Sequence, residues 1–260
     1  MAQSSIFQID SSRLFPHLSR APIAEAVIEI RALGENFPLE EALLAELVPK
    51  LTDYPKHNSA HGFASEFQFQ SGHEPKVSTQ DLGWQGLHFT SSDGKQIVKF
   101  QKDLFSFSRL QPYENWQQFA GEALRLWAIH LAIARPSLIQ RLGVRFINRI
   151  GMGGDLSNIN KYFKVFYNDF KELNLTLGGF LHQDVVGFPG QPYMANIIRT
   201  VQPSAPAETS PALILDLDVY VAAPFEPEEK LLKDHLEKMD WLKNSLFYSI
   251  ITEKLKEELT

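Results

Sequence analysis

The chain contains no cysteine, which excludes disulfides, thiolate metal sites and a cysteine nucleophile. It also lacks any apolar run that approaches the roughly 18 residues of a transmembrane helix. Its first residues do not show the charged segment followed by an apolar segment that is typical of a signal peptide. We therefore expect a cytoplasmic protein that does not enter a membrane.

An excess of positive charge is also missing. The chain has 25 Lys and Arg residues against 31 Asp and Glu residues, which gives a net charge of −6. Domains dedicated to nucleic-acid binding are usually basic overall, so this balance argues against one, although a local basic groove is still allowed.

Recognisable catalytic motifs are absent from the sequence as well. It has no Gly-x-Ser-x-Gly nucleophile elbow and no His-Glu-x-x-His metal pair. The glycine-rich residues 151–154 follow a predicted strand, but they lack the Lys-Ser/Thr that completes a Walker phosphate loop. We therefore expect a non-enzymatic protein without a cofactor.

The patterns that are present predict an α+β fold built on one large, mostly antiparallel sheet. Apolar and polar residues alternate along residues 21–31, and short turns at 91–94 and 102–103 separate further strands, as in an antiparallel meander. Residues 113–134 carry apolar side chains at helical spacing. Strands are predicted at 21–31, 63–70, 83–90, 95–101, 104–110, 141–150, 175–187, 193–202 and 212–222, and helices at 38–51, 113–134, 156–173 and 227–258.

The order of these elements runs twice along the chain, although no residue-level repeat accompanies it. We expect a single domain over residues 1–260, with pseudo-repeats of topology at 21–135 and 138–258. Helices would then cover one face of the sheet in a saddle-like arrangement and leave the other face open. The TATA-binding protein is similar in this respect, but element order alone carries no function.

Five blocks of the sequence resemble a sporadically distributed bacterial family of proteins about as long as this chain. They are residues 21–31 (APIAEAVIEIR), 109–113 (RLQPY) with Trp116, 141–149 (RLGVRFINR), 215–220 (LDLDVY), and the C-terminal His235, Phe247, Ile251 and Thr252. The resemblance spans nearly the whole chain, which implies that the chain is one unit and not two separable modules. It implies no activity and no catalytic residues, and a sporadic distribution is typical of mobile or defence-related genes.

One strand carries the main candidate site. Side chains of a strand alternate between its faces, so Arg141, Arg145 and Arg149 share one face of the predicted strand at 141–150. Guanidinium groups cannot be buried without partners, and this face must therefore meet carboxylates, a ligand or water. Acidic residues share one face in two other strands: Glu25 and Glu29 in 21–31, and Asp216 and Asp218 in 212–222.

These charged faces admit several interpretations. If they coincide, they form a mixed-charge floor that docks a protein partner, and a homo-oligomer is compatible with this interpretation. A structural network of ion pairs is the simplest alternative. A nucleic acid or nucleotide bound by the arginine stripe is another, and a metal-dependent hydrolase or nuclease built on Asp216 and Asp218 is a third. Salt dependence of binding would identify phosphate contacts.

Aromatic residues also alternate on the predicted meander strands. If exposed, they would be stacking platforms for single-stranded nucleic acid, and if buried under the helices they are core. We interpret them as core. The residues concerned are Phe67, Phe69, Phe105 and Phe107.

Overall fold

A computed structural model describes residues 6–34, 37–68, 76–152, 156–164, 178–203 and 211–260. Within these residues the chain forms a nine-stranded antiparallel sheet with four α-helices, which confirms the predicted α+β fold. In the described part of the chain, no helix is long and apolar enough to cross a bilayer.

The strands are β1 (Ile23–Arg31), β2 (Lys56–Gln68), β3 (Lys76–Thr90), β4 (Gln96–Gln101), β5 (Leu104–Leu110), β6 (Arg141–Gly151), β7 (Leu181–Gly187), β8 (Tyr193–Gln202) and β9 (Ala212–Val221). The helices are α1 (Glu40–Leu47), α2 (Trp116–Ala134), α3 (Glu229–Ile250) and α4 (Glu253–Leu259), and short 3-10 helices span Val48–Lys50 and Leu156–Lys161.

The first strands of the two predicted pseudo-repeats, β1 and β6, lie side by side in the middle of the sheet. The strand order is β2-β3-β4-β5-β1-β6-β9-β8-β7, and every neighbouring pair is antiparallel. In each part the last strand returns beside the first, so that β5 flanks β1 and β9 flanks β6. This order places β6, with its arginines, between the two strands that carry the acidic residues.

One face of the sheet is apolar and is covered by helices. Phe105 packs edge-on against Trp127 of α2, and Phe107 stacks on Phe119 of the same helix. Burying one phenylalanine side chain stabilises a fold by about 1.5–3 kcal/mol, so these contacts attach α2 firmly to the sheet. The interpretation of Phe105 and Phe107 as core is confirmed; the side chains of Phe67 and Phe69 lie outside the described part.

The opposite face is called the open face. It consists of alternate residues of the central strands: 25, 27, 29 and 31 of β1, 141, 143, 145, 147 and 149 of β6, and 214, 216, 218 and 220 of β9.

Three predicted helices have bounds that differ from the prediction, and each difference has a local cause. The predicted terminal helix at 227–258 is two helices, since Thr252 leaves helical geometry and its hydroxyl accepts a hydrogen bond from the N–H of Leu255 at 3.2 Å. The first helix ends at Leu47 because Pro49 has no N–H to continue it. The long helix begins at Trp116, where the side chain of Asn115 caps it.

The other differences concern loops and strand lengths. β2 and β3 begin earlier than predicted, at Lys56 and Lys76. The helix predicted at 156–173 is wrong over its described part: Leu156–Lys161 form only a 3-10 helix, and Phe163 instead forms an isolated bridge with Ile251. Residues 165–173 lie outside the described residues. Residues 153–154 of the glycine-rich turn and residues 175–177 of the strand predicted at 175–187 also lie outside the described residues, and that strand begins only at Leu181.

Candidate binding surface on the open face

The arginines of β6 point to the open face, between two strands that supply carboxylates. On one side, β1 places Glu29 opposite Gly143 and Val27 opposite Arg145. On the other side, β9 places Asp218 opposite Arg145. Because residues that face each other across antiparallel strands lie about 4.5–5.5 Å apart, the guanidiniums of Arg141 and Arg145 have acids within reach.

Arg141 is held by carboxylates from both neighbouring strands. Its Nη1 donates to Glu29 Oε1 at 3.0 Å, and its Nη2 donates to Asp218 Oδ2 at 2.7 Å. The guanidinium also lies 4.7 Å from the ring centroid of Tyr220. Arg31 extends the network, because its Nε donates to the same Glu29 oxygen at 3.0 Å. Four charged residues from three strands therefore form one continuous network.

Gly143 creates the space that the Arg141 side chain occupies. A Cβ atom at this position would lie 2.5 Å from Arg141 Nη1, a distance that real Cβ atoms essentially never show, and a tight 3.2 Å from its Cζ. The guanidinium folds back over the glycine and reaches both of its acids from there. The sequence analysis assigned no role to Gly143, although a glycine inside a strand often marks a close approach.

Arg145 forms a separate two-point ion pair with Asp216. Its Nε and Nη2 donate to the two carboxylate oxygens at 2.9 Å and 2.5 Å. The aspartate side chain is 9% exposed and the arginine side chain 47% exposed, so the pair has one buried end and one end at the surface. We expected the arginine face to meet carboxylates, with Arg145 or Arg149 within salt-bridge reach of one of the predicted acids, and Arg145 confirms this.

The surroundings shift two of these ionisation equilibria. Hydrogen bonding to Asp216 raises the pKa of Arg145, and the negative charges of Asp218 and Glu25 add to the effect. Burial raises the pKa of Asp218 above its ordinary value, although Arg141 and Arg145 oppose the change.

The remaining predicted residues lie along the same face at its periphery. Arg149 donates from Nε to Gln202 of β8 at 3.2 Å. Glu25 lies opposite Ile147, one pair of residues beyond Arg145. Both are therefore neighbours of the two networks on the open face.

A pocket of about 420 Å³ lies at the centre of this surface. It contains four of the seven predicted site residues, namely Glu29, Arg141, Arg145 and Asp218. Its other lining residues are Val27, Arg31 and Gly143, which the sequence analysis did not propose as site residues. Glu25, Arg149 and Asp216 do not line it.

The arrangement is suited to binding. Asp216 and Asp218 both accept hydrogen bonds from arginines, so salt bridges neutralise the two carboxylates that a metal site would have used. Across the described residues, no group of three or more His, Asp or Glu side chains could hold a metal ion. Arg31 and Arg145 keep 59% and 47% of their side chains exposed, so both present charged edges to solvent.

No protein-family model matches the chain, and no curated protein is significantly similar to it. The resemblance to a bacterial family therefore stays a prediction from the motifs.

Proposed function

We propose that the protein is a non-enzymatic binding protein that docks a protein partner on the open face. The observation that carries the proposal is the pocket at the centre of the sheet and the two ion-pair networks around it. The networks combine three guanidiniums, of Arg31, Arg141 and Arg145, with three carboxylates, of Glu29, Asp216 and Asp218.

This balance of charge favours a protein over a nucleic acid. A phosphate that approached Arg145 would also meet Asp216 and Asp218, and it would have to displace carboxylates already in place. A protein surface can offer both signs of charge and can match a mixed pattern, which gives specificity. A hydrolase built on Asp216 and Asp218 would need both carboxylates free to act, whereas each is held by an arginine.

The geometry also limits the entropic cost of binding. Arg141 is fixed by Glu29, Asp218 and the ring of Tyr220, so its side chain has little freedom left to lose on association. Arginine and tyrosine are enriched among the residues that dominate binding energy at protein interfaces. Rigid charged groups around a central pocket therefore support docking of a partner side chain.

The setting of this function rests on the sequence alone. A cytoplasmic location belongs to the same proposal. The resemblance to a sporadically distributed bacterial family supports a role in a bacterial defence or toxin–antitoxin system.

The experiment is affinity capture from the native host, with nuclease-treated and untreated lysates compared. The bound proteins, nucleic acids and small molecules are identified, and the affinity of a captured protein is then measured for variants. The test variant is Arg145→Ala/Asp216→Ala, which removes both members of one ion pair and so leaves neither of them buried without its partner. We expect it to weaken binding of the partner at least tenfold, which corresponds to about 1.4 kcal/mol of binding free energy.

A matched control is available on the helix side. Lys238 and Asp234 form an exposed ion pair on α3 at 2.6 Å, and Lys238→Ala/Asp234→Ala removes one charge of each sign in the same way. This variant should bind the partner as the unchanged protein does. Equal affinity for both double variants would reject the open face as the docking surface. Capture of nucleic acid alone, with affinity that falls steeply as salt rises, would favour the arginine-stripe alternative.

A further inference from the structure

A second and larger cavity lies on the helix side of the sheet. It is a cleft of about 1350 Å³ between the beginning of α2, one side of α3 from Lys233 to Tyr248 and the N-terminal segment that precedes β1. The segment is attached to α3, since the ring of Phe15 stacks on Tyr248 and the hydroxyl of Tyr248 donates to the carbonyl of Pro16 at 2.7 Å. The cleft is thus a built feature with three defined walls.

A buried lysine lines this cleft. The side chain of Lys243 is 8% exposed, and its Nζ lies 3.8 Å from the ring centroid of Phe146 on β6. Nζ donates to Asn244 Oδ1 at 2.9 Å and lies equally close to Asp240 Oδ1, although the latter contact does not meet hydrogen-bond geometry. Burying an ammonium group in such a place costs more folding free energy than burying an apolar side chain of similar size, which makes Lys243 a candidate functional group.

The surroundings shift the pKa values of Lys243 and of the neighbouring Tyr113. Burial lowers the pKa of Lys243, against the opposing effect of Asp240, and burial with the charge of Asp240 raises the pKa of Tyr113. The indole N–H of Trp241 is buried in the same wall and finds no acceptor in the described part of the chain. Buried polar groups are nearly always satisfied by protein, water or a ligand, so this donor requires an acceptor.

The cleft concentrates positive charge in an acidic protein. Five lysines and arginines line it, against three aspartates and glutamates, whereas the whole chain has a net charge of −6. Its walls also present several aromatic side chains, among them Tyr113, Trp116 and Tyr248. Pockets for small molecules combine apolar and aromatic walls with a few placed polar groups.

We infer that this cleft binds a small organic anion with a planar aromatic body, and that Lys243 receives the anionic group. The aromatic walls take the body of the ligand, and the surplus of cationic side chains attracts it. This site lies across the sheet from the open face and does not depend on the docking function proposed above.

The test uses two probes that share an aromatic body. 8-Anilinonaphthalene-1-sulfonate carries an anionic group, and N-phenyl-1-naphthylamine lacks it. Fluorescence titration of the full chain should show saturable binding of one sulfonate probe per molecule, at least tenfold tighter than the uncharged probe. Lys243→Met should remove this tenfold preference and leave the affinity for the uncharged probe unchanged.

Three further variants make the result decisive. Lys238→Met, on the same helix but outside the cleft, should bind both probes as the unchanged protein does. Lys243→Met/Asp240→Asn replaces the single variant if the unpaired aspartate impairs folding, and it should show the same loss. Gly121→Phe adds a ring to the cleft wall, where a Cβ would meet nothing within 4 Å, and it should weaken both probes.

The inference is overturned if the two probes bind the unchanged protein equally, or if neither binds. It is also overturned if the sulfonate retains full affinity for the Lys243 variants, or if Gly121→Phe affects neither probe. Displacement of the sulfonate by an aromatic carboxylate or by a nucleoside monophosphate then identifies which anionic group the cleft prefers.

Discussion

His130 should make the stability of this protein depend on pH. The residue is 1% exposed on α2, and neither ring nitrogen has a hydrogen-bond partner among the described residues. Its ring lies between aromatic side chains, with centroids at 5.3 to 6.0 Å from those of Phe37, Phe100, Phe105 and Trp127. Burial in this environment lowers the pKa of His130 from 6.5 to about 4.

The sign and the size of the effect follow from this pKa. A proton binds the unfolded chain more readily than the folded one, so the full stability is present above pH 6.5 and is lost as the pH falls towards 4. One pKa unit corresponds to about 1.36 kcal/mol, so the loss reaches about 2 kcal/mol at pH 5 and about 3 kcal/mol near pH 4. His130→Leu keeps a similar volume and removes the titrating group.

Urea unfolding of both proteins at pH 7.5 and pH 5 measures the effect. On acidification from pH 7.5 to pH 5, the free energy of unfolding of His130→Leu should fall by about 2 kcal/mol less than that of the unchanged protein. The carboxylates titrate in both proteins, so their contribution cancels in this comparison. His61→Gln, which replaces an exposed histidine of β2, is the control and should show no such gain. If His130→Leu loses as much stability on acidification as the unchanged protein, the histidine is not the cause.

Three further predictions concern the open face and one helix end, and urea unfolding measures each of them. Gly143→Ala should cost about 1–2 kcal/mol, because it displaces the Arg141 guanidinium from its acids. The same change should cost less in an Arg141→Ala background, and equal costs would contradict this coupling. Arg145→Ala alone should destabilise by about 1–3 kcal/mol, since it leaves Asp216 buried without its partner, and Arg145→Ala/Asp216→Ala should restore part of that loss. A double variant less stable than the single one would argue against a desolvation cost. Thr252→Ala removes the cap of α4 and should cost about 1 kcal/mol, whereas an unchanged midpoint would show that the cap contributes nothing.

The sequence was most informative where the signal is local. Alternation along residues 141–150 placed three arginines on one face, and the same rule placed the acids of the other two strands. The helix bounds were less accurate, because the break before Thr252 depends on contacts that sequence periodicity does not contain. Ile251 forms an isolated bridge with Phe163, which is distant in sequence.

By itself, then, the sequence determined the α+β class, the antiparallel sheet and the set of charged side chains that share a strand face, since these follow from the period of the backbone. Only the tertiary structure decided that Arg141 meets Glu29 and Asp218 while Arg145 meets Asp216. Strand order and register join segments more than 70 residues apart, and the packing of the whole sheet sets them. The role of Gly143 and the cleft around Lys243 have the same origin, because each exists only where separate elements of the chain are packed together.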